Sequence, residues 1–218
     1  MNNHEKEDNN TLVFSYLILR RAIGLLGFTL PFILSIGAFL IFRTGMQSSL
    51  SSYYHTDMRN VFVGTLFVIG FFMLSYQGYE PKDNWAGNLG CVFAVGIALF
   101  PTDAGPVGNG GLSPTGYIHF IFAALFFLTL IYFSLVLFTK TDPEKTPTKE
   151  KRERNSVYKS CGYIMCLCLV FMAIYILLPD SVQSILNAYN PVYWLETFAI
   201  LAFGISWIIK GETLLQDD

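Results

Sequence analysis

Apolar residues in this chain are gathered into six long blocks separated by short polar segments. Inside each block the apolar residues are nearly continuous and lack the spacing of an amphipathic helix, which has one solvent-exposed face. A bilayer core about 30 Å thick is crossed by roughly 20 apolar residues of helix, whereas an open sheet would leave unpaired backbone groups in lipid. The pattern therefore predicts an all-α polytopic membrane protein, with six transmembrane helices in one bundle at residues 22–42, 60–79, 84–100, 117–138, 161–178 and 191–209.

Basic residues predict the orientation of these helices. The segment 139–160 holds seven of the chain's 14 Lys and Arg residues. Cytoplasmic loops carry an excess of such residues, so this segment is expected inside, which makes both termini cytoplasmic. Only Arg43 and Arg59 then fall on the outer side. The remaining basic residues also lie inside: Lys6, Arg20, Arg21, Lys82 and Lys210.

The N-terminal part leaves two alternatives. Residues 11–19 are apolar but too few to cross a bilayer, and Arg20 and Arg21 come directly after them. They form either an interfacial helix beneath the inner headgroups or a prolongation of the first spanning helix. The expected organisation is a polar N-terminus with a possible interfacial helix (1–21), a six-helix transmembrane domain (22–209) and a cytoplasmic tail (210–218).

Composition agrees with a membrane location. Hydrophobic residues make up 53% of the chain and charged residues only 14%, against about 25% charged in soluble domains. A bacterial inner (plasma) membrane is the expected location and the lipid bilayer the expected partner, with no basic–aromatic pattern for nucleic acid. The four cysteines lie in or beside predicted spans and are expected to be small buried apolar residues.

Ionisable residues from four separate segments are predicted at one level, the outer end of the bundle. The reason is that consecutive helices reverse direction, so every second connection lies on the same side. Charges at membrane depth are costly and tend to be paired or functional. The predicted outer cluster consists of His55, Asp57, Arg59, Asp103, His119 and Glu196.

Two segments beside this cluster can be interpreted in two ways. In "SSYYH", residues 51–55, a helical conformation would align Ser51, His55 and Arg59 on one stripe. Alternatively Thr56 is an N-cap, the second helix starts there, and "SSYYH" is a loop. The Gly- and Pro-rich connection 101–116 is either a lid over the cluster or a flexible surface linker.

The cluster contains the ligand set of many catalytic zinc sites. Two imidazoles and a carboxylate, from His55, His119 and Glu196, would leave a fourth position for water. Bound Zn²⁺ lowers the pKa of that water to about 7 and makes it a nucleophile. Asp57 or Asp103 would support a ligand or act as general base. The hypothesis is a metal-dependent hydrolase that acts on a lipid or amphiphile.

Substrate contacts in this hypothesis come from three residues. The planar guanidinium of Arg59 would hold a phosphate or carboxylate, while Asp103 and Tyr54 would lie at the headgroup level. The alternative functions are a non-catalytic membrane sensor or assembly subunit and a small-solute transporter. Transport has less support, because midplane polar residues and matching broken helices are missing from the pattern.

Structural explanations stay open for the same side chains. His55 and His119 are each expected to be hydrogen-bonding groups at a helix mouth as readily as ligands. Glu196 could pair with Arg59, because an isolated carboxylate at that depth is expensive. Asp57 could simply stabilise a helix N-terminus.

Two resemblances add to this interpretation. The spacing Ser51-x-x-x-His55, with Asp57 close behind it, resembles the Ser and His motif of the superfamily that includes alkaline ceramidases and adiponectin-type receptors. The resemblance implies a zinc-bound membrane hydrolase with Ser51 and His55 in the site and Asp57 as a loose match for the acid. The His-x-x-x-His of that superfamily's last helix is replaced here by a helix with Glu196. The stretches "YYHT-x-MR-x-VFVG", "ALFPT" and "FGISW-x-x-KGE" resemble a family of small uncharacterised bacterial six-helix membrane proteins, which implies no activity.

Overall fold

Helices make up all of the regular structure in the described residues. The computed structural model describes residues 3–76, 83–105, 112–141 and 146–211. Within these ranges lie seven α-helices: α1 (Asn3–Phe42), α2 (Arg59–Leu74), α3 (Asn84–Leu99), α4 (Pro114–Tyr132), α5 (Lys149–Ile176), α6 (Asp180–Leu186) and α7 (Pro191–Lys210). A π-helical turn, Phe133–Leu137, prolongs α4, and short 3-10 helices lie at Ser51–His55 and Asn187–Tyr189.

Four helical segments are long and apolar enough to cross a membrane. They are Tyr16–Phe42, Pro114–Leu137, Lys149–Ile176 and Pro191–Lys210. Helices α2 and α3 are equally apolar but have 16 residues each, which is about 24 Å of helix and less than the thickness of a bilayer core. Large apolar side chains cover the outer faces of these helices, a surface that lipid rather than water matches. The chain is therefore an integral membrane protein.

The observed helix ends differ from the predicted ones where polar residues take part. Helix α1 runs from Asn3 through residues 11–19 without a break, so the N-terminal segment prolongs the first apolar helix. Helix α5 begins at Lys149, well before the predicted start at 161, because the side chain of Thr148 accepts a hydrogen bond from Lys151 N at 3.1 Å and caps the helix. Helix α2 ends at Leu74; its predicted end at 79 lies outside the described residues.

Helix α6 was not predicted from the sequence, which indicated only a connection between the fifth and sixth spans. Its Gln183 is buried, and Gln183 Nε2 donates to the carbonyl oxygens of Leu178 (2.8 Å) and Ile176 (3.2 Å). These carbonyls belong to the last turn of α5 and to the residues just beyond it, where no further turn supplies donors. The short helix therefore closes the C-terminal end of α5.

The two ends of the bundle have different chemistry. At one end, which we call the basic end, Lys140 Nζ lies 2.6 and 2.8 Å from the carboxylate oxygens of the buried Asp83. There too, Arg21 Nε donates to the carbonyl oxygen of Gly211 at 2.8 Å and so joins the helices of the two termini. The opposite end, where α1, α3 and α5 finish and α2, α4 and α7 begin, we call the polar end.

Glycines bring α1 and α7 into backbone contact. A Cβ atom on Gly204 would lie 2.7 Å from the backbone nitrogen of Phe28 and 2.8 Å from the carbonyl oxygen of Gly24. A Cβ atom on Gly24 would in turn lie 2.6 Å from the backbone nitrogen of Ile208. Membrane helices pack this closely only where small residues face each other. This contact joins the first helix to the last.

Gly204→Ala is expected to lower the free energy of unfolding by about 1–3 kcal/mol, because the added methyl group overpacks a backbone contact. The measurement is thermal unfolding in mild detergent, followed by circular dichroism. Gly64→Ala is the matched control, since a Cβ on Gly64 meets no atom within 4 Å and Ala favours a helix by about 1 kcal/mol over Gly. Equal losses of stability in the two variants would contradict the proposed contact.

Candidate functional site

The segment Ser51–His55 forms a 3-10 helix, and Glu196 of α7 closes its N-terminal end. Glu196 Oε2 accepts a hydrogen bond from the backbone nitrogen of Leu50 at 2.5 Å, and Ser51 Oγ lies 3.5 Å from Oε1. In return, Tyr193 N in the first turn of α7 donates to the carbonyl oxygen of Ser48 at 3.1 Å. The first N–H groups of any helix have no partner within it. Each of these two helix starts thus finds its acceptor in the other segment.

The two histidines bind backbone carbonyls where α3 ends. His119 Nδ1 donates to the carbonyl oxygen of Phe100, and His55 Nε2 donates to that of Thr102, both at 2.7 Å. Donation is the only possibility, because a carbonyl oxygen only accepts. The last carbonyls of a helix have no donor within it. The histidines therefore tie α4 and the 3-10 helix to the end of α3.

Asp103 stabilises the start of α4 from the other side of the connecting loop. Its carboxylate accepts from Ser113 N at 3.0 Å and Ser113 Oγ at 2.5 Å, and Ser113 Oγ in turn accepts from Gly116 N at 3.0 Å. The hydrogen bonds from Ser113 hold the pKa of Asp103 below its usual 3.8. Residues 106–111 lie outside the described residues, and with them most of the segment predicted as a lid or linker.

Arg59, Tyr54 and Asp57 lie on the outside of the polar end. The guanidinium carbon of Arg59 is 4.2 Å from the centre of the Tyr54 ring, and Arg59 Nη2 donates to Tyr54 Oη at 2.5 Å. The alternative pairing of Arg59 with Glu196 is not observed, because Arg59 contacts Tyr54 and Glu196 binds the 3-10 helix. Helix α2 begins at Arg59 and not at Thr56, although Thr56 Oγ1 accepts from Met58 N at 3.2 Å. Asp57 is exposed on the intervening turn.

The predicted zinc ligands are not gathered into a metal-binding group. Across residues 3–76, 83–105, 112–141 and 146–211, no three His, Cys, Asp or Glu side chains lie where they could hold one ion. His119 and Glu196 line the same cavity, whereas His55 is exposed and does not line it. Zinc therefore stays a prediction without a ligand set among these residues, and hydrolase activity is not supported.

A cavity of about 460 Å³ lies between α4 and α5. Its head, at the polar end, is lined by Ser49, Ser51, Thr102, His119 and Glu196. From there it extends between apolar side chains as far as Ile131 on α4 and Cys166 on α5. Ile131 lies eleven steps along α4 from Phe120, which corresponds to a rise of about 16 Å along the helix. The result is an elongated cavity with a polar head and an apolar shaft.

The sequence indicated His119 and Glu196 as metal ligands, and a resemblance indicated Ser51. It did not indicate the cavity that these three residues line. Ser49 and Thr102 were missed because isolated hydroxyl residues carry no distinctive pattern. On the shaft, the small residues Ala123, Ala124 and Ala173 leave room between the helices. Nothing in a continuous apolar block separates such positions from lipid-facing ones.

Glu196→Ala is expected to lower the free energy of unfolding by about 1–3 kcal/mol, because the backbone N–H of Leu50 loses its acceptor. Glu196→Gln keeps one side-chain oxygen and is expected to lose less. Thermal unfolding in detergent gives the stability, and amide hydrogen exchange at Leu50 gives the local effect. The exposed Asp57→Ala serves as control and should stay within about 0.5 kcal/mol of the parent. A melting curve for Glu196→Ala that superimposes on the parent's would contradict the capping role.

Comparison with known proteins supports a family assignment but no activity. No curated protein and no solved structure matches the chain, so the resemblance to alkaline ceramidases stays a prediction. A family model described as "Protein of unknown function (DUF998)" matches residues 45–209, about three quarters of the chain. The matched range contains the 3-10 helix, α2 to α6 and nearly all of α7, and with them every residue that lines the cavity. The chain is a membrane protein of the DUF998 family.

Proposed function

We propose that this protein binds an amphiphile, with the alkyl chain between α4 and α5 and the headgroup at the polar end. The observation that carries the proposal is the cavity itself, polar at its head and apolar along its shaft. An amphiphile has the same division between a polar and an apolar part. A volume of about 460 Å³ also falls within the range of small-molecule sites, roughly 300–1,000 Å³.

The rim of the cavity supports entry from lipid. Leu128 on α4 and Val170 on α5 are both 53% exposed, and both line the cavity. In a membrane protein such apolar exposed positions face acyl chains. A ligand already dissolved in the bilayer would therefore reach the shaft sideways, without exposing its alkyl chain to water.

The contacts of the polar residues favour binding over metal-dependent hydrolysis. The Glu196 carboxylate and His119 Nδ1 each hold a helix end, and the described residues contain no ligand group for a metal. These side chains thus have a structural role that does not require a reaction. We therefore propose a binding protein, which corresponds to the non-catalytic alternative, with a lipid or amphiphile as its ligand.

We further propose six membrane spans, with the basic end and both termini in the cytoplasm of a bacterial cell. Support comes from the seven Lys and Arg residues of the segment 139–160 and from the apolar character of α2 and α3. These two helices are short for a bilayer core, and local thinning of the bilayer accommodates short spans at a modest cost. The polar end then faces the periplasm.

Single cysteines in a cysteine-free background test this orientation. Asp57→Cys, at the polar end, is expected to react with a membrane-impermeant maleimide in intact cells. Glu153→Cys lies on an exposed part of α5 near the basic end and is expected to react only after the cells are permeabilised. Labelling of Glu153→Cys in intact cells, with Asp57→Cys protected, would show the opposite orientation.

Filling the cavity tests the proposed function. Ala124→Phe and Ala173→Phe each place a ring in the shaft, and both alanines are exposed enough to accept it without displacing packed groups. Each variant is expected to weaken binding of a long-chain alcohol at least about tenfold, which corresponds to about 1.4 kcal/mol. The measurement is native mass spectrometry of the protein released from a non-ionic detergent, over a series of alcohol concentrations.

Leu167→Phe is the control for this experiment. Leu167 lies on α5, is 55% exposed and does not line the cavity, so an added ring there changes only the lipid-facing surface. Binding to this variant should equal binding to the parent. If Ala124→Phe, Ala173→Phe and Leu167→Phe all bind the alcohol as the parent does, the cavity is not the binding site and the proposed function fails.

A further inference from the structure

The head of the cavity is rich in hydrogen-bond acceptors and has no positive side chain. Among the described residues that line the cavity there is no Lys and no Arg. Arg59, also at the polar end, is turned to Tyr54 and does not line the cavity. Sites that bind phosphate, carboxylate or sulfate in proteins supply guanidinium groups, ammonium groups or several backbone N–H groups. The side chains that line this head supply no such cation.

His119 lines the head of the cavity, and one of its two ring nitrogens is bound to a backbone carbonyl. Its Nδ1 carries the hydrogen, since it donates to the carbonyl oxygen of Phe100 at 2.7 Å. In the neutral ring the other nitrogen, Nε2, then offers a lone pair. The carbonyl that fixes one nitrogen thereby determines what the other can do. A headgroup that reaches His119 Nε2 must bring a hydrogen of its own.

Glu196 adds a carboxylate at the same place. Its bonds to Leu50 N and Ser51 occupy part of its accepting capacity, and each carboxylate oxygen has two lone pairs. No Lys or Arg of the described residues pairs with it. A cation or a hydroxyl donor placed beside it is favoured, whereas a second anion would be repelled at short range in surroundings of low dielectric constant.

We infer that the cavity is selective for single-chain amphiphiles whose headgroup donates hydrogen bonds, a primary ammonium or a hydroxyl, and that it rejects carboxylate and sulfate headgroups. The inference rests on the proposed function, since it concerns the ligand of the same cavity. His119 and Glu196 are the residues that determine this selectivity. Ser49, Ser51 and Thr102 contribute hydroxyl groups, which accept as readily as they donate.

Four probes with one alkyl chain and different headgroups test the inference: a long-chain amine, the alcohol, the carboxylate and the sulfate. Binding is measured by native mass spectrometry in a non-ionic detergent at about pH 8.5, where carboxyl groups are ionised and a primary amine is protonated. For each probe, binding to Ala173→Phe is subtracted, so that only the part that depends on the cavity is compared. The amine and the alcohol are expected to bind at least about tenfold more tightly than the carboxylate and the sulfate. A tenfold difference in affinity corresponds to the net gain or loss of one charge-assisted hydrogen bond.

Glu196→Gln separates charge from shape. Gln keeps the length of the side chain and an oxygen for Leu50 N, but it loses the negative charge. The amine is expected to lose about tenfold in affinity, whereas the alcohol should change much less. If the variant does not fold, the four probes on the parent protein still decide the question.

The outcomes distinguish this inference from the proposed function. Cavity-dependent binding of all four probes with equal affinity, or tighter binding of the carboxylate or sulfate, overturns the headgroup selectivity and leaves amphiphile binding in place. Absence of cavity-dependent binding for all four probes overturns both. Tight binding of the amine and alcohol alone, with the amine weakened in Glu196→Gln, is the result that the geometry predicts.

Discussion

A bilayer offers no hydrogen-bond partner to a polypeptide backbone, so every N–H and C=O at membrane depth must find one inside the protein. Within a helix this is automatic, but the first N–H groups and the last C=O groups of each helix remain open. At the polar end these open groups are hydrogen-bonded by the same side chains that suggested a catalytic centre. Glu196 accepts from the start of the 3-10 helix, and His119 and His55 donate to the carbonyls beyond α3. The first role of this cluster is therefore to supply hydrogen-bond partners for the open backbone groups at the helix ends.

The same contacts give the head of the cavity a defined chemistry. A histidine whose Nδ1 is bound to a carbonyl cannot rotate freely, and because Nδ1 carries the hydrogen, Nε2 of the neutral ring is an acceptor. A carboxylate that caps a helix start is held in one place, so it meets a ligand without the entropic cost of ordering a free side chain. The folding requirement and the proposed binding site therefore use the same side chains. Residues that would be strongly destabilising alone in lipid are tolerated because of their backbone partners.

Much of the fold could be predicted from the sequence, and the reason is physical. Continuous apolar blocks fix where helices lie, and the observed starts of α3 at Asn84 and α7 at Pro191 coincide with the predicted ones. The reversal of consecutive helices also brings His119, Asp103 and Glu196 to one end. Their partners could not be predicted, because most of them are backbone groups, which every residue carries. Nor could the cavity, since side chains that line a gap between helices have the same apolar character as those that face lipid.

The gap between α4 and α5 results from how each helix is attached. Towards the basic end the two are in close contact, because a Cβ on Gly162 of α5 would overlap the side chain of Leu135 in the π-helical turn. Towards the polar end α4 is held to α3, both by His119 and by Gly96, where a Cβ would overlap the ring of Phe122. At the polar end α5 is held by α6 instead, because Gln183 donates a hydrogen bond to the carbonyl oxygen of Leu178 just beyond α5. Two helices that touch at one end and are held by different neighbours at the other enclose a wedge. The cavity lies in this wedge, with the acceptors of the polar end at its head.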